Sequence, residues 1–189
     1  MDNDVSAGST TSTLGQLALG LTLLAFGLGH TGVIDGVTAA DAVSLATYVG
    51  GIALFVAGLF AFRDRDAGNG TAYASLGALW FTWGVTADAQ VSANAAGLFL
   101  LLFALVALSL TLGAAGAGTL VRGTYGLLFV ALLLLAVAAF GDGDALAKAG
   151  GWFAAVSGLL AWYGATAALA KWRTELPGRP AGRGVTAAG

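Results

Sequence analysis

Apolar residues fall along this chain in six long runs that are separated by short polar breaks. Each run is close to the roughly 20 residues that an α-helix needs to cross the hydrocarbon core of a bilayer. The runs cover residues 14–34, 42–62, 71–87, 95–112, 123–140 and 146–170. Because the connections are short, neighbouring helices must run antiparallel. The pattern predicts an all-α integral membrane protein built as a bundle of six transmembrane helices.

The segments outside these runs are polar and short. We expect residues 1–13 to form a cytoplasmic N-terminal tail, since they are polar and acidic and lack the basic start of a cleaved signal peptide. Residues 14–172 make up the predicted transmembrane domain. Residues 173–189 hold both prolines of the chain and several glycines, a composition typical of a disordered tail.

The basic residues predict how the bundle is oriented. If the N-terminus is inside, every Lys and Arg except Lys148 falls on the cytoplasmic side. The positive-inside rule therefore places both termini in the cytoplasm, which agrees with an even number of spans. We expect a multi-pass protein of the cell (plasma) membrane, with the lipid bilayer as its main surroundings.

The composition narrows the possible functions. Hydrophobic residues make up 58% of the chain and charged residues 10%, and there is one histidine and no cysteine. No acidic residue lies deep in a predicted span, so the residue sets of intramembrane proteases and hydrolytic triads are lacking. The sequence predicts no enzyme, no cofactor, no metal site and no nucleic-acid partner.

The chain is also rich in glycine, with 30 residues. Small residues let helix backbones approach closely inside a bilayer. We expect two clusters, on the second and sixth spans, to be packing positions rather than ligand loops. These are Gly50, Gly51, Gly58, Gly150, Gly151 and Gly158.

Hydroxyl residues form a stripe on the third span. Thr71, Ser75, Thr82 and Thr86 lie within roughly 60° of one another when residues advance by about 100° around a helix. One hypothesis is that they line a pore and replace part of the hydration shell of a small solute. The other is that they bond back to their own helix or hold two helices together.

Polar residues on the first span suggest a second lining surface. Leu19, Phe26 and His30 lie within about 40° of one another, and Thr22 flanks them. His30 would stand near the external mouth, where it could sense pH or meet an anion. Alternatively, it is an interfacial residue that forms ordinary hydrogen bonds.

Two segments resemble a known family. Residues 48–80 read YVGGIALFVAGLFAFRDRDAGNGTAYASLGALW, with a double glycine, a Phe-Arg helix end and a Gly-Ala-x-Trp motif. Residues 127–170 contain Ala-Gly-Gly at 149–151 and Ala-Trp-Tyr at 161–163. These features resemble the second, third, fifth and sixth helices of the acetate uptake transporters. That group includes the yeast ammonia and acetate exporters and the bacterial acetate–succinate permeases.

The resemblance implies a homo-hexamer in which each subunit has its own narrow pore for acetate and related short carboxylates. In the family the pore narrows at an apolar ring from the first, third and fifth helices. The matching positions here are Leu19, Leu76 and Ala131. All three are smaller or less polar than the family's residues, so we expect a wider or differently selective constriction.

Together, these observations predict a membrane channel or transporter for acetate or other small monocarboxylates that works without ATP hydrolysis. Two alternatives stay open. The pore could carry urea, small amides or ammonia, or the bundle could be a non-conducting membrane scaffold.

Overall fold

A computed structural model describes residues 10–87, 89, 91–141 and 143–172. These residues form six long helical segments and, within those ranges, no strand. We number the segments α1 to α6. They are α1 Thr10–Thr31, α2 Ala39–Arg63, α3 Ala67–Thr86, α4 Ala93–Gly113, α5 Thr119–Gly141 and α6 Asp144–Leu169.

Five of these segments, all except α3, are long and apolar enough to cross a membrane. The α3 helix has 20 residues, but glycines and hydroxyl side chains interrupt its apolar sequence. The fold is therefore all-helical with five candidate spans among the described residues. A sixth span at α3 and the cytoplasmic placement of both termini stay predictions.

The first helix begins earlier than its apolar run suggests. Residues 10–13, which were expected in the tail, form the first turn of α1. This turn is held by contacts with other helices, since Thr11 Oγ1 donates to Asp64 Oδ2 at 3.1 Å and the carbonyl of Ser12 accepts from Tyr73. Residues 1–9 and 173–189, to which the remaining tail predictions apply, lie outside the described residues.

The turn between α2 and α3 is short because both helix ends are capped. The N–H of Asp66 donates back to the carbonyl of Ala61 at 2.9 Å, and Arg65 adopts a positive φ of 62°. This is the hydrogen-bonding pattern of a Schellman C-cap. Asp66 then caps α3 by accepting from the backbone N–H of Asn69 at 3.1 Å. The two helices are consequently held antiparallel.

The α2 segment changes helix type along its length. It starts with a 3₁₀ turn at Ala39–Ala42 and a short α-helical turn at Val43–Leu45. It then continues as a π-helix over Ala46–Ala53 and ends as an α-helix over Leu54–Arg63. At the last change the N–H of Leu54 donates to the carbonyl of Val49, five residues back. Such π segments occur often at functional sites.

Helices α1 and α6 approach each other at paired glycines. A Cβ atom added at Gly27 would lie 2.6 Å from the carbonyl oxygen of Gly151, and one added at Gly158 would lie 2.8 Å from the carbonyl oxygen of Gly20. The same spacing of seven residues occurs on both helices, so two contacts form along one antiparallel seam. Larger side chains here would have to push the backbones apart.

Helices α2 and α3 also approach closely, at glycines of α2 that lie against larger residues of α3. Added Cβ atoms at Gly51 and Gly58 would lie 2.9 Å and 2.6 Å from the backbones of Phe81 and Ala74, respectively. Gly150, on α6, lies against Leu135 of α5, where an added Cβ would be 2.8 Å from its Cγ.

The helices follow one another around the bundle. The α6 helix packs against α1 and α5, α5 against α4, and α2 against α1 and α3, whereas α3 and α4 touch only slightly. Buried side chains from the helices form one apolar core. The interior faces of α1 and α3 are therefore positioned by the glycine contacts with α6 and α2.

We predict that Gly27→Ala lowers the melting temperature, since its Cβ would meet backbone atoms of Ala155 and Gly151 on α6. Overpacking of this kind costs about 1–3 kcal/mol. The matched control is Gly126→Ala, whose Cβ would have an ordinary 3.6 Å contact with Thr111. Because alanine favours helices over glycine, this control should melt at or above the wild type. Circular dichroism in detergent measures both, and equal melting of the two variants would contradict the seam.

Candidate functional site

The three residues predicted to form the constriction are all buried inside the helix bundle. Leu19 is 1% exposed, and Leu76 and Ala131 are 0% exposed. All three belong to the same core cluster as Phe26 and Trp80. The structure thus places them in the interior of the bundle, while their role as the narrow point of a pore stays a prediction.

Thr22 also points into this interior. It is fully buried and its hydroxyl donates to the carbonyl of Ala18 at 2.8 Å. A Cβ atom added at Gly50 would lie 2.9 Å from both Thr22 Oγ1 and Trp80 Cγ. Gly50 belongs to the π-helical part of α2, so this segment brings the side chains of α1 and α3 together over a glycine.

Three aromatic rings pack together in the interior beside Thr22 and Gly50. The ring centroid of Phe26 lies 5.0 Å from that of Trp80 and 5.1 Å from that of Trp83, both edge to face. Trp80 and Trp83 are themselves 6.2 Å apart at 90°. In edge-to-face pairs the positive edge of one ring meets the negative face of another. These contacts define an aromatic cluster of Phe26, Trp80 and Trp83.

One polar atom in this cluster has no partner. Trp80 is 1% exposed, and no described residue accepts a hydrogen bond from its indole N–H. A buried donor without an acceptor costs about 1–3 kcal/mol. Among the buried side-chain nitrogen and oxygen atoms of the described residues, only this one is unpaired.

His30 lies beside the aromatic cluster, near the C-terminal end of α1. Its Nδ1–H donates to the carbonyl of Phe26 at 2.9 Å, and its ring centroid is 4.4 Å from that of Phe26. A Cβ atom added at Gly151 would lie 2.8 Å from His30 Cβ, so α6 closes on the histidine from the other side. The ring is thus oriented by its own helix.

The hydroxyl stripe of α3 lies on the outer face of that helix, away from the core. Thr71, Thr82 and Thr86 are exposed and Ser75 is half-buried, whereas Leu76 and Trp80 of the same helix face the core. The hydroxyls of Ser75 and Thr86 donate to the carbonyls of Thr71 and Thr82, each at 2.7 Å. The structure does not bring the stripe together with the predicted constriction. Bonding back to their own helix leaves these two hydroxyls no donor for a solute.

A polar cluster at the start of α1 was not predicted from the sequence. Tyr73 is fully buried and its hydroxyl donates to the carbonyl of Ser12 at 2.8 Å. The Asn69 amide donates to Asp66 Oδ2 at 2.7 Å and to Ser12 Oγ at 3.3 Å. The Tyr73 ring covers Gly15, where a Cβ would overlap it. The Asp-x-x-Asn spacing before an apolar run was the available signal, since it is typical of a helix start.

The interior carries little charge. Its buried polar residues among the described ranges are neutral hydroxyls: Thr13, Thr22, Thr31, Thr124 and Ser157. The described residues also contain no group of three or more His, Asp or Glu side chains that could hold a metal ion. What the site offers chemically is apolar surface, hydroxyl oxygens and one free indole N–H.

A bundle of long apolar helices with an uncharged interior defines a multi-pass membrane protein. The model of the GPR1/FUN34/yaaH family matches residues 6–176, so the chain belongs to that family. The resemblance predicted from residues 48–80 and 127–170 is confirmed.

Two curated relatives are similar over much of the chain. The glyoxylate pathway regulator of Yarrowia lipolytica is 28% identical over 168 residues, which cover 83% of this chain and 62% of the relative. The ammonia transport outward protein 2 of Saccharomyces cerevisiae is 29% identical over 140 residues, which cover 68% of this chain and 50% of the relative. The chain thus spans between half and two thirds of the length of these relatives.

One solved structure has a similar fold. The bacterial acetate channel SatP superposes with a TM-score of 0.79 at 22% sequence identity, over 86% of this chain and 93% of that chain. The likeness shows that the two proteins share a fold.

We predict that Tyr73→Phe loosens the start of α1. The variant keeps the ring over Gly15 but loses the hydrogen bond to Ser12, which contributes about 1 kcal/mol. Amide hydrogen exchange should therefore accelerate at residues 10–15. The control is Tyr163→Phe, since the Tyr163 side chain is exposed. Unchanged exchange at residues 10–15 in Tyr73→Phe would show that the hydrogen bond does not hold this turn.

Proposed function

We propose that this protein is a channel or transporter for acetate or other small monocarboxylates, working in the cell membrane without ATP hydrolysis. The observation that carries the proposal is the uncharged interior of a bundle that shares its fold with an acetate channel. Family membership supports a membrane role of the same kind.

The proposed architecture has six spans over residues 14–172, with both termini in the cytoplasm. Its support is the distribution of basic residues and the presence of a sixth helix, α3, between two candidate spans. The exposed hydroxyl stripe of α3 would be poorly placed against lipid. Association of subunits into a homo-oligomer, a hexamer by family resemblance, would cover such a surface.

Passage without strong ion coupling fits the interior best. Pumps and proton-coupled transporters keep ionisable groups at mid-membrane, where they are costly and persist for function. The buried polar side chains of the described residues are neutral. Hydroxyls and an apolar narrowing at Leu19, Leu76 and Ala131 can pass a small solute without a buried ion pair.

A second candidate function is the passage of ammonia. It is favoured by the 29% identity to a yeast relative named for outward ammonia transport. Urea and small amides would fit the same uncharged interior.

Uptake into liposomes that hold the purified protein tests the proposal. We expect saturable uptake of labelled acetate, and we expect Leu76→Trp to abolish it, since Leu76 is fully buried at the proposed constriction. The matched control is Leu159→Trp on α6, where the side chain is 49% exposed. This control should transport at the wild-type rate.

The other outcomes select the alternatives. Passage of ammonia or urea without acetate would replace the substrate and keep the pore. No passage of any of the three, by a protein that remains folded, would support the non-conducting scaffold. Acetate uptake that survives Leu76→Trp would overturn the proposed constriction alone.

A further inference from the structure

The unpaired indole N–H of Trp80 has no role in the constriction described above. It lies in the interior of the bundle, one helical turn beyond Leu76 on α3. The side chain is 1% exposed, and none of the described residues accepts its hydrogen bond. Buried polar groups normally have partners, so an exception needs an explanation.

The residues around this N–H hold the Trp80 ring by specific contacts. Phe26 and Trp83 hold the Trp80 ring by edge-to-face contacts at 5.0 Å and 6.2 Å. Gly50 allows the indole to approach α2, since an added Cβ would lie 2.9 Å from Trp80 Cγ. The π-helical turn that carries Gly50 is itself an irregular segment of the backbone. The donor is therefore held in one orientation by three helices.

The chemistry of the group limits what can bind it. An indole N–H is a donor only, so its partner must offer a lone pair. Thr22, which also borders Gly50, donates its proton to Ala18 and keeps only lone pairs for other groups. The aromatic cluster adds apolar surface beside both. The Trp80 donor and the aromatic surface suit a solute with an oxygen acceptor and a small apolar end, and the lone pairs of Thr22 add an acceptor for the O–H of a protonated carboxyl group.

We infer that Trp80 Nε1–H is the hydrogen-bond donor that binds a carboxyl oxygen of the solute inside the bundle. The inference rests on the proposed function and adds the residue that recognises the carboxyl group. A carboxylate and its neutral acid both present such an oxygen. An ammonium ion has only N–H donors and cannot occupy the same position.

The first test is acetate uptake by Trp80→Phe in liposomes. This variant keeps an aromatic ring and removes the donor, so the KM for acetate should rise about fivefold or more for loss of one hydrogen bond, and about tenfold or more where the bound form is the carboxylate. The control is Trp152→Phe on α6, whose side chain is 49% exposed, and its KM should not change. A KM within about twofold of the wild type in Trp80→Phe would overturn the inference.

A second measurement works without the variant. The wild-type protein, labelled with ¹⁵N-tryptophan in nanodiscs, is titrated with sodium acetate while indole N–H resonances are recorded. Phe variants of the other tryptophans assign the Trp80 resonance by elimination. We expect it to move saturably with acetate and to stay unmoved with ammonium chloride. A resonance that acetate does not move would mean that water, rather than solute, pairs with this N–H, and would overturn the inference.

Titration at two pH values separates the two forms of the carboxyl group. Both outcomes support Trp80 as the donor: a midpoint that follows total acetate identifies the anion, and one that follows the protonated fraction identifies the neutral acid. The proposed function can fail independently of the role of Trp80. If the wild-type protein shows a shifted Trp80 resonance but no acetate uptake, it binds acetate without conducting it. Acetate uptake with an unmoved resonance would overturn only the role of Trp80.

Discussion

The architecture depends on close contact between helix backbones. Inside a bilayer, lipid tails are as apolar as leucine, so helices associate through packing rather than through exclusion of water. The paired glycines of α1 and α6 and the α2 glycines that face Phe81 and Ala74 of α3 supply this packing. Helices α1 and α3 contribute the innermost side chains, and each is placed by one of these seams.

The same contacts determine the chemistry of the interior. Backbone polar groups of helices are satisfied within each helix, so side chains determine the hydrogen-bonding groups of the interior. Most buried hydroxyls already donate a hydrogen bond within the bundle. Thr22, Thr31 and Thr124 donate to carbonyls of their own helices, and Ser157 of α6 donates to the carbonyl of Thr124 on α5. Trp80 differs because its rigid ring cannot fold back onto its own helix. Its N–H consequently stays available.

The aromatic cluster places large side chains of the interior away from the predicted constriction. Leu19 and Leu76 leave the predicted constriction without a ring. Phe26 follows Leu19 by two helical turns, and Trp80 follows Leu76 by one, so the rings stand toward the C-terminal ends of α1 and α3. The interior therefore holds aliphatic side chains at the predicted constriction and aromatic side chains one to two helical turns beyond it. The proposed selectivity therefore depends on both levels.

The sequence by itself determined the six helices to within a few residues of each end. Apolar length and small residues leave local signals, so the sequence also indicated the family and predicted two glycine clusters as packing positions. The tertiary structure decided which face of each helix turns inward. Periodicity places Thr71, Ser75, Thr82 and Thr86 on one face of α3, but the apolar residues on all sides of that helix gave no indication of what the face meets. The stripe faces outward, where Ser75 and Thr86 bond to carbonyls of their own helix, whereas the Trp80 ring lies inside the bundle, where the missing side chain of Gly50 leaves room for it.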